Sequence, residues 1–504
     1  MSLNFPAQRR PTPLLLVASL ALAAACTGDD DTATPTSPPA VPVSDTTQPA
    51  VTQAAATEPP TTEVSTTETG STEPPAAPRP SSVELVGPRD EDRSEPHIAV
   101  DPDDPDRMFV VAQGSLPTVS LDPQLFWRAD DGGRTWSEPL RMGFIENSPR
   151  GAAGDPVVAA GRDGLVLFGT LAVMVEGDPE TLTEASGAIT AHIGTRVSTN
   201  GGRSFSSFGT ADRIVVTGPT SDNIDKEWLA IDAGTGPFGG SAYLAWVHFH
   251  ANGSEDVLFA ASHDRGRTYA APLVLEHLHA GQLVGGVEEY VQLAVRPDGT
   301  VDAVWNGTRA GESVVLHASS TDGGASFSSP RLIAHHDPAA SGIGMVLSLA
   351  VSARGRLGLC WPQSRPGRIH LPQIRCQETD EAGHWARPEL VLPGIAARQY
   401  LPAAAYHGET LWVTSYASDD QTTRVLAVPH GRRGFDPAIT LAEWPVPSRQ
   451  ICAPHPPDCT DGQTFIGDYI GAVSTPDQLV VSAIEPVARG GHNKMVILRL
   501  PLSD

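Results

Sequence analysis

Six times along this 504-residue chain a short signature returns in fixed order: Ser/Thr-x-Asp-x-Gly-x-Thr-aromatic. Four copies are clear. They are Ala129, Asp131, Gly133, Thr135 and Trp136; Ser198, Asn200, Gly202, Ser204 and Phe205; Ser262, Asp264, Gly266, Thr268 and Tyr269; and Ser320, Asp322, Gly324, Ser326 and Phe327. Two worn copies follow near 380–385 and 431–435, and successive aromatics lie 69, 64, 58, 58 and 50 residues apart. A period of that length marks a supersecondary unit that buries its apolar face only against its neighbours, so the chain must fold as a stack or a ring of similar units.

The residue types say what the signature does. An Asp or Asn caps the amides of its own tight turn, the glycine takes backbone angles that a Cβ forbids, and the aromatic inserts into the apolar layer between units. Ahead of each copy lie two apolar runs separated by a Gly/Pro/Asp turn: 97–112, 156–170, 228–247, 290–305, 346–361 and 400–416, with a seventh pair at 465–484. Short apolar runs broken by turn residues are β-hairpins, and no segment shows a sustained helical period. The chain is therefore expected to be an all-β propeller of four-stranded blades, seven preferred and six the alternative. The last blade has three strands of its own, ending near 495–500. Val83 to Val86 is expected to supply the fourth and close the ring.

The signature resembles the Asp box, or BNR repeat, of sialidases and related β-propellers. The resemblance covers 81–504 and implies functional residues at the channel mouth, where the innermost strand of each blade begins. Those positions hold Glu95 and His97; Asp155; Asp225, Lys226 and Glu227; Glu288, Glu289 and Tyr290; Arg398, Gln399 and Tyr400; and Asp468 and Tyr469. In the sialidase pattern a tyrosine attacks the anomeric carbon, a glutamate activates it, an aspartate is the acid/base and three arginines hold the sialate carboxylate. Carried over, this makes Tyr469 the nucleophile, Glu289 or Glu227 its partner and Asp155 the acid/base, with Asp468 beside them. Arg398, Asp225, Glu227, Tyr290 and Tyr400 would contact substrate. Where sialidases open with Arg-Ile-Pro, this chain reads Glu95-Pro96-His97-Ile98, and a triad of arginines is not evident. A planar guanidinium fork is the natural clamp for a carboxylate. Two functions stay open: an exo-glycosidase acting on surface glycans, and a non-enzymatic propeller that binds carbohydrate or an envelope protein.

The N-terminal region points outside the cytoplasm. Arg9 and Arg10 precede an apolar stretch from Leu14 to Ala25 that ends at Cys26, the layout of a secretory signal too short to span a bilayer. Ala24-Ala25-Cys26 resembles the end of a bacterial lipobox, which implies lipidation of Cys26. Residues 27–80, rich in Thr, Pro, Ala, Ser and Glu, cannot bury enough apolar surface to fold and are expected to be a tether. Of the other four cysteines, Cys360 and Cys376 fall on adjacent strands, and Cys452 with Cys459 brackets a Pro-rich loop. Both pairs are expected as disulfides in an oxidising compartment.

Net charge is −25; residues 1–80 hold eight carboxylates and three arginines, leaving 51 against 31, or −20, on 81–504. Such a surface repels nucleic acid and anionic lipid, so membrane contact is expected through the lipid anchor alone, and a monomer is expected. No cofactor is implied. The acids Asp101, Asp103, Asp104 and Asp106 invite structural calcium, but the prolines among them favour a capped turn. His248 and His250, with His277 and His279 near them, offer zinc-type ligands, although exposed loop histidines are the preferred reading. Gly234, Gly236 and Gly239 match a nucleotide-loop spacing, yet their surroundings are those of a hairpin turn.

Overall fold

A computed structural model describes residues 79–85, 92–115, 124–142, 151–175, 189–216 (207 apart), 221–280, 290–335, 346–452 (366 and 367 apart), 463–487 and 492–502. These residues form seven antiparallel blades of four main strands each, with a single turn of 3-10 helix at Ser448–Gln450. No helix among them is long and apolar enough to cross a membrane.

The blades follow one another in sequence. Their inner strands are Asp92–Asp101, Gly151–Ala160, Asn223–Ile231, Val291–Val295, Ser348–Val351, Arg398–His407 and Gly471–Thr475. Each touches the next around the axis, and the seventh touches the first, so the ring is closed. The closure is the expected one. Ser81–Leu85 pairs antiparallel with Lys494–Pro501 as the outer strand of blade 7, in a register that runs from Ser81 opposite Arg499 to Leu85 opposite Met495. Lys494 adds an ion pair to Glu84 at 3.2 Å.

The core lies between blades, as units that cannot bury their own faces require. One cluster joins blades 1 and 2 through Phe109, Phe126, Val158 and Phe168. Another joins blades 3 and 4 through Tyr243, Phe259, Leu293 and Trp305. The largest cluster spans blades 6, 7 and 1.

The signature turns connect third and fourth strands, at the end of the ring opposite the mouth. Asp264 shows their logic: its Oδ1 accepts the amides of Arg267 (3.0 Å) and Thr268 (2.8 Å) and the Ser262 hydroxyl (2.8 Å), while Oδ2 accepts the Thr268 hydroxyl (2.6 Å). Asp131 and Asp322 repeat much of this scheme. The aromatics then pack on the preceding blade. Tyr269 bonds Thr195 at 2.9 Å, and the Phe205 and Phe327 rings meet Phe126 and Phe259 edge-on at 4.9 and 4.7 Å. Gly266 (φ +80°) is also required by close approach, because a Cβ there would lie 2.8 Å from Leu167 Cδ2 of the neighbouring blade.

Several sequence expectations meet their structural context here. Cys360 and Cys376 face each other across the hairpin of blade 5 and form a disulfide. Cys459 lies outside the described residues, and with it the second expected pair; Cys26 does too. The 101–106 acids are engaged as a turn. Asp101 accepts the Asp103 amide at 2.9 Å and pairs with Arg107 at 2.9 Å, and Asp103 pairs with Arg162 of blade 2 at 2.6 Å. The 234–239 glycines form the turn between inner and second strands of blade 3, closed by Asp232 N–H to the Ser241 carbonyl at 2.9 Å.

Candidate functional site

Four inner strands carry the same irregularity. Their pairing with the second strand shifts between Ser94 and His97, Gly154 and Val157, Asp225 and Trp228, and Tyr400 and Ala403. At each bulge a non-glycine residue sits in the left-handed region: Glu95 (φ +52°), Asp155 (+50°), Lys226 (+59°) and Leu401 (+50°). Such backbone costs on the order of 1–3 kcal/mol per residue and persists only where the surroundings impose it. In three of the four cases it brings a charged side chain into a shared cluster.

Lys226 is the centre of that cluster. Its ammonium pairs with Asp155 Oδ1 of blade 2 at 3.3 Å and with Asp468 Oδ2 of blade 7, and it lies 5.4 Å from the Tyr290 ring of blade 4. The Tyr290 hydroxyl donates to Asp468 Oδ2 at 3.3 Å. Glu95 of blade 1 accepts the Asp155 amide at 3.2 Å, and oxygens of Glu95, Asp155 and Asp468 all lie within 4.8 Å of one another. None of these side chains belongs to a residue more than 6% exposed.

Burial and like charge set the proton affinities. Glu95 is pushed well above the usual carboxylate range by burial, then by Asp155 and Asp468. Burial also pushes Glu227 upward, with Asp155 adding to it, and neither Glu227 oxygen has a hydrogen-bond partner among the described residues. For Lys226, burial works against the charge, but Asp155 and Asp468 more than offset it and hold the ammonium protonated.

The expected site residues divide into three groups. Asp155, Asp468 and Tyr290 converge on Lys226, and Glu227 lies buried beside Asp155. Asp225 turns back to accept the Lys226 amide at 2.9 Å. Tyr469 is adjacent, but its hydroxyl donates to the Pro156 carbonyl at 3.0 Å, and burial, Glu95 and Asp155 push its pKa well above 10. Arg398 stands apart, over the Tyr400 ring at 5.8 Å, and Tyr400 is bonded to Ser418. No hydrogen bond or ion pair among the described residues joins Arg398 or Tyr400 to the cluster. Glu288 and Glu289 lie outside the described residues.

Sequence reasoning placed Glu95, His97 and Lys226 at the mouth without giving them roles. Glu95 and Lys226 complete the charge cluster. His97 backs it: Nδ1 accepts the Val158 amide at 3.2 Å, and the ring meets Trp228 edge-on at 5.0 Å. The Glu95-Pro96, Asp155-Pro156 and Leu401-Pro402 dipeptides were the available signal, since each marks a bulge that redirects a side chain.

No family model matches the sequence, and no curated protein is significantly similar to it. Solved structures with a similar chain trace include an ulvan lyase of polysaccharide lyase family PL25, at 12% identity over 82% of this chain and 95% of that one, TM-score 0.48. The α-L-arabinofuranosidase Arb93A of Fusarium graminearum matches at 12% identity over 84% and 98%, TM-score 0.42. The intramolecular trans-sialidase of Ruminococcus gnavus matches at 10% identity over 81% and 94%, TM-score 0.38. At these identities and scores the likeness assigns no chemistry to this chain.

Proposed function

We propose that the mouth of this propeller binds carbohydrate and cleaves a glycosidic bond, with Glu95 as proton donor and Asp155 as the carboxylate that meets the anomeric carbon. The observation that carries this reading is the pairing of unlike carboxyls. Glu95 is driven toward its protonated form, while Asp155, with an oxygen within 4.8 Å, is held in an ion pair by Lys226. Two carboxyls whose surroundings separate their proton affinities are the usual acid and base of glycoside chemistry. Oxygens within 4.8 Å of each other leave less room for an inverting water than the about 6.5–9.5 Å separation that inverting enzymes use. Glu95 protonates the leaving oxygen while Asp155 bonds to the anomeric carbon, and water then releases the sugar as its proton returns to Glu95. Carbohydrate as the substrate class is supported by the resemblance of the signature turns to those of sialidases. Tyr469 is not the nucleophile in this reading, because its hydroxyl is committed to a backbone carbonyl and no described carboxylate takes its proton.

The second reading is a glycan- or protein-binding propeller without turnover. It is favoured by the burial of the whole cluster, in which Lys226 neutralises two carboxylates and ties blades 2, 3 and 7 together. A glycoside panel, sialosides included, separates the readings when assayed with the full chain and its Glu95→Gln, Asp155→Asn and Tyr469→Phe variants. Glu95→Gln is expected to lower kcat by roughly 10²–10⁴-fold, with Tyr469→Phe nearly silent. The reverse pattern would restore Tyr469 as nucleophile, and glycan binding without turnover would establish the second reading. The same proposal places the protein outside the cytoplasm, anchored by lipid on Cys26 through residues 27–80. Detergent-phase partitioning that is unchanged in Cys26→Ala would remove the anchor.

A further inference from the structure

Blade 3 carries a second polar cluster at the same end of the ring, built around histidine. The inner strand Asn223–Ile231, second strand Ala242–Phe249, third strand Glu255–Ser262 and fourth strand Leu273–Leu278 place His248, Asp256 and His277 as successive cross-strand partners. Asp222 immediately precedes the inner strand, and His250 opens the turn that follows the second. Asp222 Oδ2 lies 3.1 Å from His248 Nε2 and 3.6 Å from His250 Nδ1, and the donor atoms of all three residues fall within 4.8 Å of one another.

Those separations have a meaning. A tetrahedral zinc ion with bonds of about 2.1 Å holds its ligand atoms about 3.4 Å apart; the 3.1 and 3.6 Å separations bracket two such edges, and the His248 and His250 rings, stacked with centroids 4.3 Å apart, need one imidazole to turn for both to face the ion. The residues around the three donors are those a metal site uses to orient its ligands. His250 presents Nδ1 to the cluster and directs Nε2 to Asp256 Oδ2 at 2.8 Å, a carboxylate–histidine pair. Asp256 is fixed in turn by His277 Nδ1 at 2.5 Å, and His277 Nε2 contacts His279 Nδ1 at 3.1 Å. Asp222 is oriented through Oδ1, which accepts the Ala251 amide at 2.8 Å. The Asp222 side chain is 42% exposed, so solvent reaches this rim.

We infer that Asp222, His248 and His250 form a zinc-binding site on the mouth-side rim of blade 3, oriented by Asp256 and His277, with a fourth position for water or a hydroxyl- or carboxylate-bearing ligand. Two imidazoles and one carboxylate suit a borderline divalent ion such as zinc better than calcium, which prefers an all-oxygen shell. The site does not depend on the carboxyl pair at the axis.

The test is metal binding by tag-free full-length protein, stripped with chelator and titrated with Zn²⁺ against a competing indicator, and separately with Co²⁺. Zn²⁺ is expected to bind with one-to-one stoichiometry, and Co²⁺ to give the intense visible absorption of a tetrahedral site. Both signals should vanish in His248→Ala/His250→Ala, and Asp256→Asn should weaken Zn²⁺ affinity by roughly 10–100-fold. Denaturation midpoints in chelator show that the variants are folded; a variant that fails this check is replaced by Asp222→Asn/His248→Gln, for which the same loss is expected. Zn²⁺ stoichiometry unchanged in a folded double variant, or no Zn²⁺ retained by wild type at micromolar concentration, overturns the site.

Discussion

Lys226→Met tests whether the axial cluster is held by one ammonium. The substitution keeps length and apolar volume but leaves Asp155 and Asp468, each with a side chain only 3% exposed, facing each other and Glu95 without a counter-charge. Breaking a buried pair by removing one partner costs about 3–5 kcal/mol, mainly because charge is left uncompensated. The deficit should depend on pH. With the ammonium gone the three carboxyls raise one another's proton affinity, so the folded variant takes up protons more readily than wild type, and its deficit shrinks from pH 7 to pH 5. A divalent ion should also compensate. Calcium bonds of 2.3–2.6 Å can bridge oxygens up to about 5 Å apart, and the three carboxyls lie within 4.8 Å. Denaturation followed by tryptophan fluorescence, at pH 7 and pH 5 and with or without millimolar CaCl₂, reads all three effects. A loss below about 1 kcal/mol at pH 7, or an equal loss at both pH values, would refute the reasoning.

Three further outcomes follow from the same structure. Burial lowers the His97 pKa from 6.5 to about 4. The unfolded chain therefore binds the extra proton between those values, and the stability His97 contributes above pH 6.5 is lost as pH falls toward 4. At about 1.4 kcal/mol per unit the loss is at most about 3.5 kcal/mol; denaturation midpoints for His97→Gln should lack that part of the acid slope. Replacing both Cys360 and Cys376 by serine should cost roughly 2–4 kcal/mol, and reductant should cost the wild type a similar amount more than it costs the variant. Asp264→Ala removes the acceptor of the Arg267 and Thr268 amides at an exposed turn and should cost about 0.5–1.5 kcal/mol, with faster hydrogen exchange confined to the turn between third and fourth strands of blade 3.

The ring was legible because its period is written in side chains with backbone consequences. Asp264, Gly266 and Tyr269 perform the three expected tasks within one turn, and Ser81–Leu85 completes blade 7 where an apolar run was left over. The site was legible only as a list of strand starts. In a regular strand alternate residues share a face, but at each bulge the left-handed residue breaks that alternation, so position along the strand does not tell which side chain points inward. Lys226 shows the difficulty. It lies between Asp225 and Glu227, yet its partners are Asp155 and Asp468, which are 71 and 242 residues away. Arg398 shows the converse, a strand-start residue whose guanidinium goes to its neighbour's ring rather than to the axis.

The closing strand imposes an order on synthesis. Ser81–Leu85 leaves the ribosome first among the described strands, but its partner, Lys494–Pro501, emerges about 410 residues later. At about 5–20 residues per second, that is a wait on the order of 20–80 s during which six blades can assemble and the first strand has nothing to pair with. Its composition suits the interval. Ser81, Ser82 and Glu84 face solvent even in the finished ring, and only Leu85 is buried, so the waiting segment offers other chains a poor edge to extend. A recombinant protein trimmed to begin at residue 92 would remove that segment permanently. It would then expose the Lys494–Pro501 strand, whose Met495, Ile497 and Leu498 are buried in the intact ring, as a free apolar edge. Such a fragment should self-associate through blade 7.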